Sequence, residues 1–410
     1  MPNKNVKAKS EHDERTVEYV VRRFGPVSRA KIHELTQIRP SATSQIVRNL
    51  LDAGRLVEDG VEQGHLGRKG ALLRLNEDAR FVACVQFDDE TITAGLTNLH
   101  PQVKKTSTAV TPLQGGPDAL VRQLIKTIRN CLGRTPRDLL LGIGIADPGL
   151  VDSRRGVVLS CSVIPFWRDI PLKEIFEREF GVPVTVETNT RAKTVAERDA
   201  GGADPRETMI YIDYGVGIGA GLVTDGRLLY GRTSGAGEFG HIHVVESDAA
   251  CNCGSFGCLE AIAGLRAVET RVRRALADGG KTEVWDMAGG DPSRISGWMV
   301  FEAASRGDKI AGNTVAVVGR YLGLGIANLV NLFNPGSVVL DSRLRPAGAM
   351  LLDEVQATVK LQALREFTDH LEIRYATQTA GAGIIGMARM VLEEHMAIPA
   401  LKLPLFLQEA

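Results

Sequence analysis

Apolar and polar positions divide the chain into two parts of different character. In the first part, residues 1–12 are polar and predict a frayed end. "RTVEYVVRRFG" then places Val17, Val20, Val21 and Phe24 at helical spacing. Ser28 reads as the cap of a short helix carrying Ile32 and Leu35. After a break at Gln37-Ile38-Arg39, Pro40 opens a second helix at the first-turn position, where its missing N–H costs no bond. This helix carries Ile46, Val47, Leu50 and Leu51 on one face and Ser41, Thr43, Ser44, Gln45 and Arg48 on the other. Gly54 supplies its C-terminal cap. "RLVEDGVEQGHLGRKGALLRLNED" reads as two strands around a Gly-rich loop bearing Arg68 and Lys69. Helix, short helix, turn, helix and hairpin is the order of a winged helix-turn-helix.

Near residue 80 the pattern changes. "RFVACVQF" predicts a buried strand with "TITAGLTNL" as its hairpin partner. "DLLLGIGIADPGLVD", "PVTVETNT", "TMIYIDYGVGIGAGLVTDG" and "SVVLDS" also read as strands. Between them lie the helical patterns "PDALVRQLIKTIRNCLG", "LKEIFEREFG" and "AGNTVAVVGRYLGLGIANLVNLFNPG", and "AGAGIIGMARMVLEEH" closes the series. Strands alternating with helices predict α/β layers with parallel strands. The expected organisation is a winged helix-turn-helix over 1–78 and an α/β unit of two lobes over 79–400. No short-period repeat is visible, and "ALKLPLFLQEA" at the end follows neither period.

Composition narrows the function classes. The chain has 410 residues, 44% apolar and 24% charged, as in ordinary globular proteins. Lys plus Arg and Asp plus Glu both number 49, so contact with nucleic acid has to come from local basic patches. No apolar run approaches the roughly 20 residues that span a bilayer, and the N-terminus lacks the apolar core of a signal peptide. The expected location is cytoplasmic. In that setting the six cysteines predict no disulfide framework.

Three of those cysteines, Cys251, Cys253 and Cys258, fall within eight residues in "GEFGHIHVVESDAACNCGSFGCLEAIAG". Gly254 and Gly257 permit sharp turns between them. They are either three reduced thiols in a loop or part of a zinc site, which takes four tetrahedral Cys and His ligands. Three packed thiols without metal are an oxidation hazard. His241 could supply the fourth ligand, and His243 reads as an ordinary strand residue.

"GEFGH" followed by "CNCGSFGCLE" resembles the signature of the ROK family (repressors, open reading frames and sugar kinases). "GIADPGLVDSRRGVVL", "GVGIGAGLVTDGRLLYGRTSGAGEFGH" and "YLGLGIANLVNLFNPGSVVL" resemble further family segments, so the likeness covers most of the chain. The resemblance implies an actin-like, ribonuclease H-like domain of two lobes, with a zinc loop at 241–260. By position it makes His241, Cys251, Cys253 and Cys258 the zinc ligands. Glu238, His241 and Glu260 would face sugar hydroxyls, as would Asn189. Carboxylates accept from sugar hydroxyls, while a histidine can bind metal through one ring nitrogen and hydrogen-bond through the other.

The same resemblance argues against catalysis. Family kinases bind ATP phosphates with an Asp-x-Gly-Gly-Thr loop, where this chain has Gln86-Phe87-Asp88-Asp89-Glu90. Carboxylates there repel phosphate. Their catalytic Asp lies in Glu-Asn-Asp-Ala-Asn. Here the stretch is Glu187 to Arg191, "ETNTR", with Asn189 in that place, and an amide is no base. A Gly-Gly pair after the strand near 340 is Asp341-Ser342. The run of Gly215, Gly217, Gly219 and Gly221 survives and can serve packing alone. Val163 stands where the family has an Asn, which loosens the link to any particular sugar.

ROK repressors carry an N-terminal winged helix-turn-helix, and "GHLGRKGALL" resembles their wing. The expectation is a sugar-responsive, zinc-containing regulator, a repressor without catalytic residues, acting on carbohydrate-metabolism genes. It would bind a double-stranded DNA operator as a homodimer or homotetramer, with no membrane association. Ser41, Thr43, Ser44, Gln45, Arg48, Arg68 and Lys69 would contact DNA. The alternative is an ATP-dependent sugar kinase with a fused DNA-binding domain.

Overall fold

The computed structural model describes residues 4–61, 70–200, 207–378 and 381–396. The first helix, α1 (Lys4–Phe24), begins well inside the stretch expected to fray. β1 (Val27–Ser28), α2 (Arg29–Thr36), α3 (Pro40–Asp52), β2 (Leu56–Val61) and β3 (Ala71–Leu75) follow. The three strands pair in the order β1-β3-β2. The Ser28 side chain accepts from the Lys31 N–H as the cap of α2, and Gln37 turns the chain in the left-handed region at φ 57°. Pro40 opens α3. This is a winged helix arrangement. Arg68 and Lys69 lie outside the described residues.

Two lobes follow. The first holds β4 (Phe81–Phe87), β5 (Thr91–Asn98), β6 (Val103–Val110), α4 (Gly116–Leu132), β7 (Leu140–Asp147), β8 (Leu150–Asp152), β9 (Val157–Ser160), α5 (Leu172–Phe180) and β10 (Val184–Thr188). Helix α6 (Asn189–Ala200) leads away from it. The second begins with β11 (Met209–Tyr214), β12 (Ile218–Thr224) and β13 (Arg227–Leu228). Helices α7 (Leu259–Ala263), α8 (Leu265–Ala277), α9 (Glu283–Met287), α10 (Gly297–Ser305) and α11 (Lys309–Phe333) come next. β14 (Ser337–Leu340), α12 (Gly348–Gln362), α13 (Arg365–Thr368) and β15 (Glu372–Tyr375) complete it, and α14 (Ala382–Met396) returns to the first lobe.

The sheets run β10-β7-β4-β5-β6 and β13-β12-β11-β14-β15. Counted along the chain, both are the same arrangement: a three-strand antiparallel meander whose first strand pairs in parallel with the fourth, and the fourth with the fifth. The sequence shows no repeat because the likeness resides in topology and not in residue identity. Strand β6 escaped the hydrophobic pattern because "VKKTSTAV" is an edge strand, largely exposed. Among the described helices, α11 is long and apolar enough to cross a bilayer, contrary to the reading that no such run exists. Twelve of its residues, including Val315, Val318, Leu322 and Ile326, are buried within the second lobe, so its apolar character serves packing.

The winged helix does not hang free. Val17, Leu50 and Leu73 share one buried cluster with Val82 and Cys84 of β4 and with Ile384, Met387 and Val391 of α14. Arg22 donates to the Leu392 carbonyl at 3.1 Å. Helix α14 crosses α6 so closely that a Cβ on Gly386 would lie 1.7 Å from the Ala192 carbonyl oxygen. Gly386→Ala is therefore expected to force the helices apart and cost about 1–3 kcal/mol or more, read as a lowered midpoint in thermal unfolding.

Candidate functional site

The site is a cleft of about 850 Å³ between the lobes. Asn189 opens α6 directly after β10. Glu238 precedes a 3-10 turn, Phe239–His241, and Glu260 sits in the first turn of α7. These four residues, predicted from sequence to face a ligand, all line the cleft together with Val163. The Asn189 amide donates to the Phe87 carbonyl at 2.8 Å, which fixes its orientation. Glu260 accepts from the Ile218 N–H at 3.2 Å. Burial raises the Glu260 pKa against the opposing charge of His241.

The cysteine loop is built by short backbone bonds. Cys251 N–H donates to Ser255 O at 2.8 Å, Gly254 N–H to Cys251 O at 3.0 Å and Gly257 N–H to Ala249 O at 2.8 Å. Gly254 and Gly257 adopt φ of 91° and 71°, which only glycine takes easily. Phe239 and Leu259 are buried against Gly325 of α11 and hold the loop to the second lobe. The ligand atoms of His241, Cys251, Cys253 and Cys258 lie within 4.8 Å of one another. Cys253 Sγ is 3.7 Å from Cys258 Sγ, and Cys251 Sγ is 3.7 Å from His241 Nδ1. A disulfide would need about 2.05 Å. A tetrahedron with Zn–S bonds of about 2.3 Å sets its sulfurs about 3.8 Å apart, so this donor set fits a metal of zinc's size and softness. Nδ1 of His241 faces the thiols while Nε2 lies 3.9 Å from the Glu238 carboxylate. His243 pairs with Cys258 as an isolated β-bridge and stands outside the cluster.

The cleft is also lined by a concentration of the chain's own charges. The Asp88 carboxylate accepts from Glu90 N–H at 2.9 Å and Thr91 N–H at 2.7 Å, making a tight acidic turn between β4 and β5. Burial, then repulsion from Asp88 and Asp89, raises the Glu90 pKa. In the second lobe Lys193 Nζ bridges Asp213 at 2.6 Å and Asp341 at 3.1 Å. Arg343 reaches the same two carboxylates at 2.9 Å and lies over Trp298. Burial would raise the Asp341 pKa, but Lys193 and Arg343 outweigh it and hold the carboxyl far below its usual range. Gly219 and Gly221 serve packing, because a Cβ on Gly221 would lie 1.8 Å from Thr194 Oγ1 and one on Gly219 2.7 Å from Thr190 Oγ1, whereas Gly215 and Gly217 line the cleft.

Sequence reasoning did not find Arg191. It is 3% exposed and donates to Glu187 at 2.7 Å and to the carbonyls of Ser234 and Ala236. Its guanidinium lies 5.0 Å from the Tyr230 ring centre. Arg191 thus ties α6 to the loop that delivers Glu238. The available signal was its i,i+4 spacing from Glu187, masked by the strand–helix boundary between them.

The winged helix needs one correction. Thr43, expected on the solvent face of α3, is 1% exposed, and its hydroxyl donates to Ile38 O at 3.2 Å. It lies beside Ile46, Val47 and Leu50, closing the tight turn from α2. Ser41, Ser44, Gln45 and Arg48 are exposed as expected, and Asn49 joins them.

Comparison with known proteins agrees with this geometry. The model of the ROK family matches residues 82–394. The chain belongs to the ROK family. It is 31% identical to the N-acetylglucosamine repressor of Escherichia coli O6:H1 over 357 residues, covering 86% of each chain. A crystal structure of a ROK family transcriptional regulator, a homolog of the Escherichia coli Mlc protein, superposes with a TM-score of 0.78 at 26% identity, over 95% of this chain and 96% of that one. A ROK family glucokinase from Streptomyces griseus, solved with glucose and AMPPNP, gives 0.68 at 28% identity over 76% of this chain and 98% of its own. The fold is therefore that of ROK regulators and sugar kinases.

Proposed function

We propose that this ROK protein is a sugar-responsive transcriptional regulator, a repressor in the cytoplasm, with structural zinc and no kinase activity. The observation that carries the reading is the joining, in one chain, of a winged helix with an exposed polar α3 face to a cleft lined by Asp88, Asp89 and Glu90 and by Lys193, Asp213 and Arg343, which pair with one another and with Asp341. The division at residues 78 and 79 separates the two roles. Ser41, Ser44, Gln45 and Arg48 on α3, with Arg68 and Lys69 from the sequence between β2 and β3, would meet an inverted-repeat operator as a homodimer or homotetramer. Asn189, Glu238, His241 and Glu260 would hold a sugar or sugar derivative. His241, Cys251, Cys253 and Cys258 would hold zinc, which supplies no chemistry beyond fixing the loop. Effector binding then shifts the protein between states of different DNA affinity. The change reaches α1 through α6 and α14.

Selection of genomic fragments by the purified chain at two salt concentrations tests this. One inverted repeat, bound more weakly at the higher salt because phosphate contacts release counterions, supports it. Arg48→Ala is expected to weaken operator binding by about 1–3 kcal/mol, measured by titration. Incubation with ATP and a panel of monosaccharides is expected to release no ADP above the sugar-free rate. Sugar-dependent ADP release would favour the kinase reading instead.

A further inference from the structure

The exposed face of α3 carries more information than its polarity. Ser41, Ser44, Gln45, Arg48 and Asn49 are all exposed, while Thr43, Ile46, Val47 and Leu50 are buried. The spacing 41, 44, 45, 48, 49 is one stripe of an α-helix. Within it Gln45 Nε2 donates to Asn49 Oδ1 at 2.9 Å, one turn apart. Arg48 makes no ion pair among the described residues, so its guanidinium is not committed to the protein.

An amide pair joined in this way has a fixed outward pattern. Each amide offers one oxygen and one NH₂ group. Once one amide donates to the other, the pair presents outward the oxygen of the donating residue and the NH₂ of the accepting one. The same holds if the two amides exchange roles. A free acceptor therefore stands beside a free donor, and the internal bond limits rotation of both side chains. In the major groove adenine shows N6–H as donor and N7 as acceptor. Guanine shows two acceptors, cytosine a lone donor and thymine an acceptor with a methyl group. Among single bases, only adenine complements one acceptor and one donor side by side. Arg48, with donors alone, complements guanine O6 and N7.

Resting on the reading of α3 as the DNA-contacting helix, we infer that Gln45 and Asn49 act together as an adenine reader and that Arg48 reads a neighbouring guanine. The operator half-site thus contains an A·T pair next to or near a G·C pair, in the register of consecutive residues on one helix face. Ser41 and Ser44, earlier in the helix, face the backbone or tolerate several bases.

The test is selection of duplexes from a randomised pool by the full-length chain at one salt concentration, for the parent, Gln45→Ala, Asn49→Ala and Arg48→Ala. All three positions are exposed, so the variants keep the fold, which thermal melting verifies. The expected result is one adenine and one guanine in each parental half-site. Gln45→Ala and Asn49→Ala each lower discrimination at the adenine by about 5- to 150-fold and leave the guanine selected, whereas Arg48→Ala does the reverse. Gln45→Lys, which replaces the acceptor with a donor, moves the choice from adenine towards guanine. Amide variants that retain the adenine preference, or that lose affinity equally for all sequences, overturn the inference and make these residues phosphate contacts. A parent chain that selects no sequence overturns the DNA-binding reading itself and this inference with it.

Discussion

Cys258→Ser is expected to abolish zinc binding and to loosen the loop that faces the cleft. The parent is expected to carry one zinc per chain by elemental analysis and the variant none. Cys258 is 1% exposed, and its thiol lies 3.7 Å from that of Cys253. A serine hydroxyl there is a poor zinc ligand. Altering groups that merely support metal ligands already costs about 10–100-fold in metal affinity, and loss of a ligand costs more. In zinc-finger peptides the metal contributes roughly 10–16 kcal/mol of folding free energy. Here the damage is confined, because Phe239 and Leu259 anchor the ends of the loop in the core of the second lobe. The lobes stay folded while residues 244–257 become sensitive to protease. His241 loses its fixed ring, so sugar binding weakens by more than tenfold. A chelator acting on the parent reproduces the same cleavage. Unchanged zinc content in the variant refutes the ligand assignment.

Arg191→Met is expected to destabilise the first lobe and α6 by about 3–5 kcal/mol, because it leaves the Glu187 carboxylate buried without its cation. Glu187 is 1% exposed and receives Arg191 at 2.7 Å. In a chain of this size the loss lowers the thermal midpoint by roughly 4–6 °C. The pair Glu187→Gln with Arg191→Met recovers most of it, since neither partner is then left charged. The single variant also frees the carbonyls of Ser234 and Ala236, and with them the loop carrying Glu238. Sugar affinity should therefore fall in the double variant even where stability returns. A single variant that melts with the parent would show that the pair contributes little.

Much of the site was legible because its parts are close in sequence. The His/Cys cluster spans 241 to 258, and its spacing, with Gly254 and Gly257, almost writes the turn geometry. The cap at Ser28 and the Pro40 start of α3 are likewise local, since each depends on backbone groups one turn away. The departure from the family's phosphate loop, with Asp88 and Asp89 at its two glycines and Glu90 at its threonine, was visible residue by residue. What those losses became was not visible. Lys193, Asp213, Asp341 and Arg343 come together from positions up to 150 apart, and no local pattern ties an exposed-looking lysine on α6 to an aspartate after β14.

Thr43 shows the same limit on a smaller scale. The sequence reading placed it on the polar face of α3 because its short polar side chain suggested solvent, although its spacing to Ile46, Val47 and Leu50 is that of the buried stripe. The close turn from α2 decided otherwise, by offering the Ile38 carbonyl as its acceptor. Edge strand β6 was missed because its side chains mostly face water, and α11 was underestimated because its glycines interrupt what is nevertheless an apolar helix. By itself the sequence determined the elements of the winged helix, the proximity of His241 to the three cysteines and the family, because periodicity, capping and turn chemistry act over a few residues. Only the tertiary structure decided that both lobes share one topology, that Lys193, Asp213, Asp341 and Arg343 form one ion-pair network at the cleft, and that α6 and α14 link the cleft to the winged helix. Those outcomes depend on which distant surfaces pack together, and burial energy selects among such pairings without leaving a local mark on the chain.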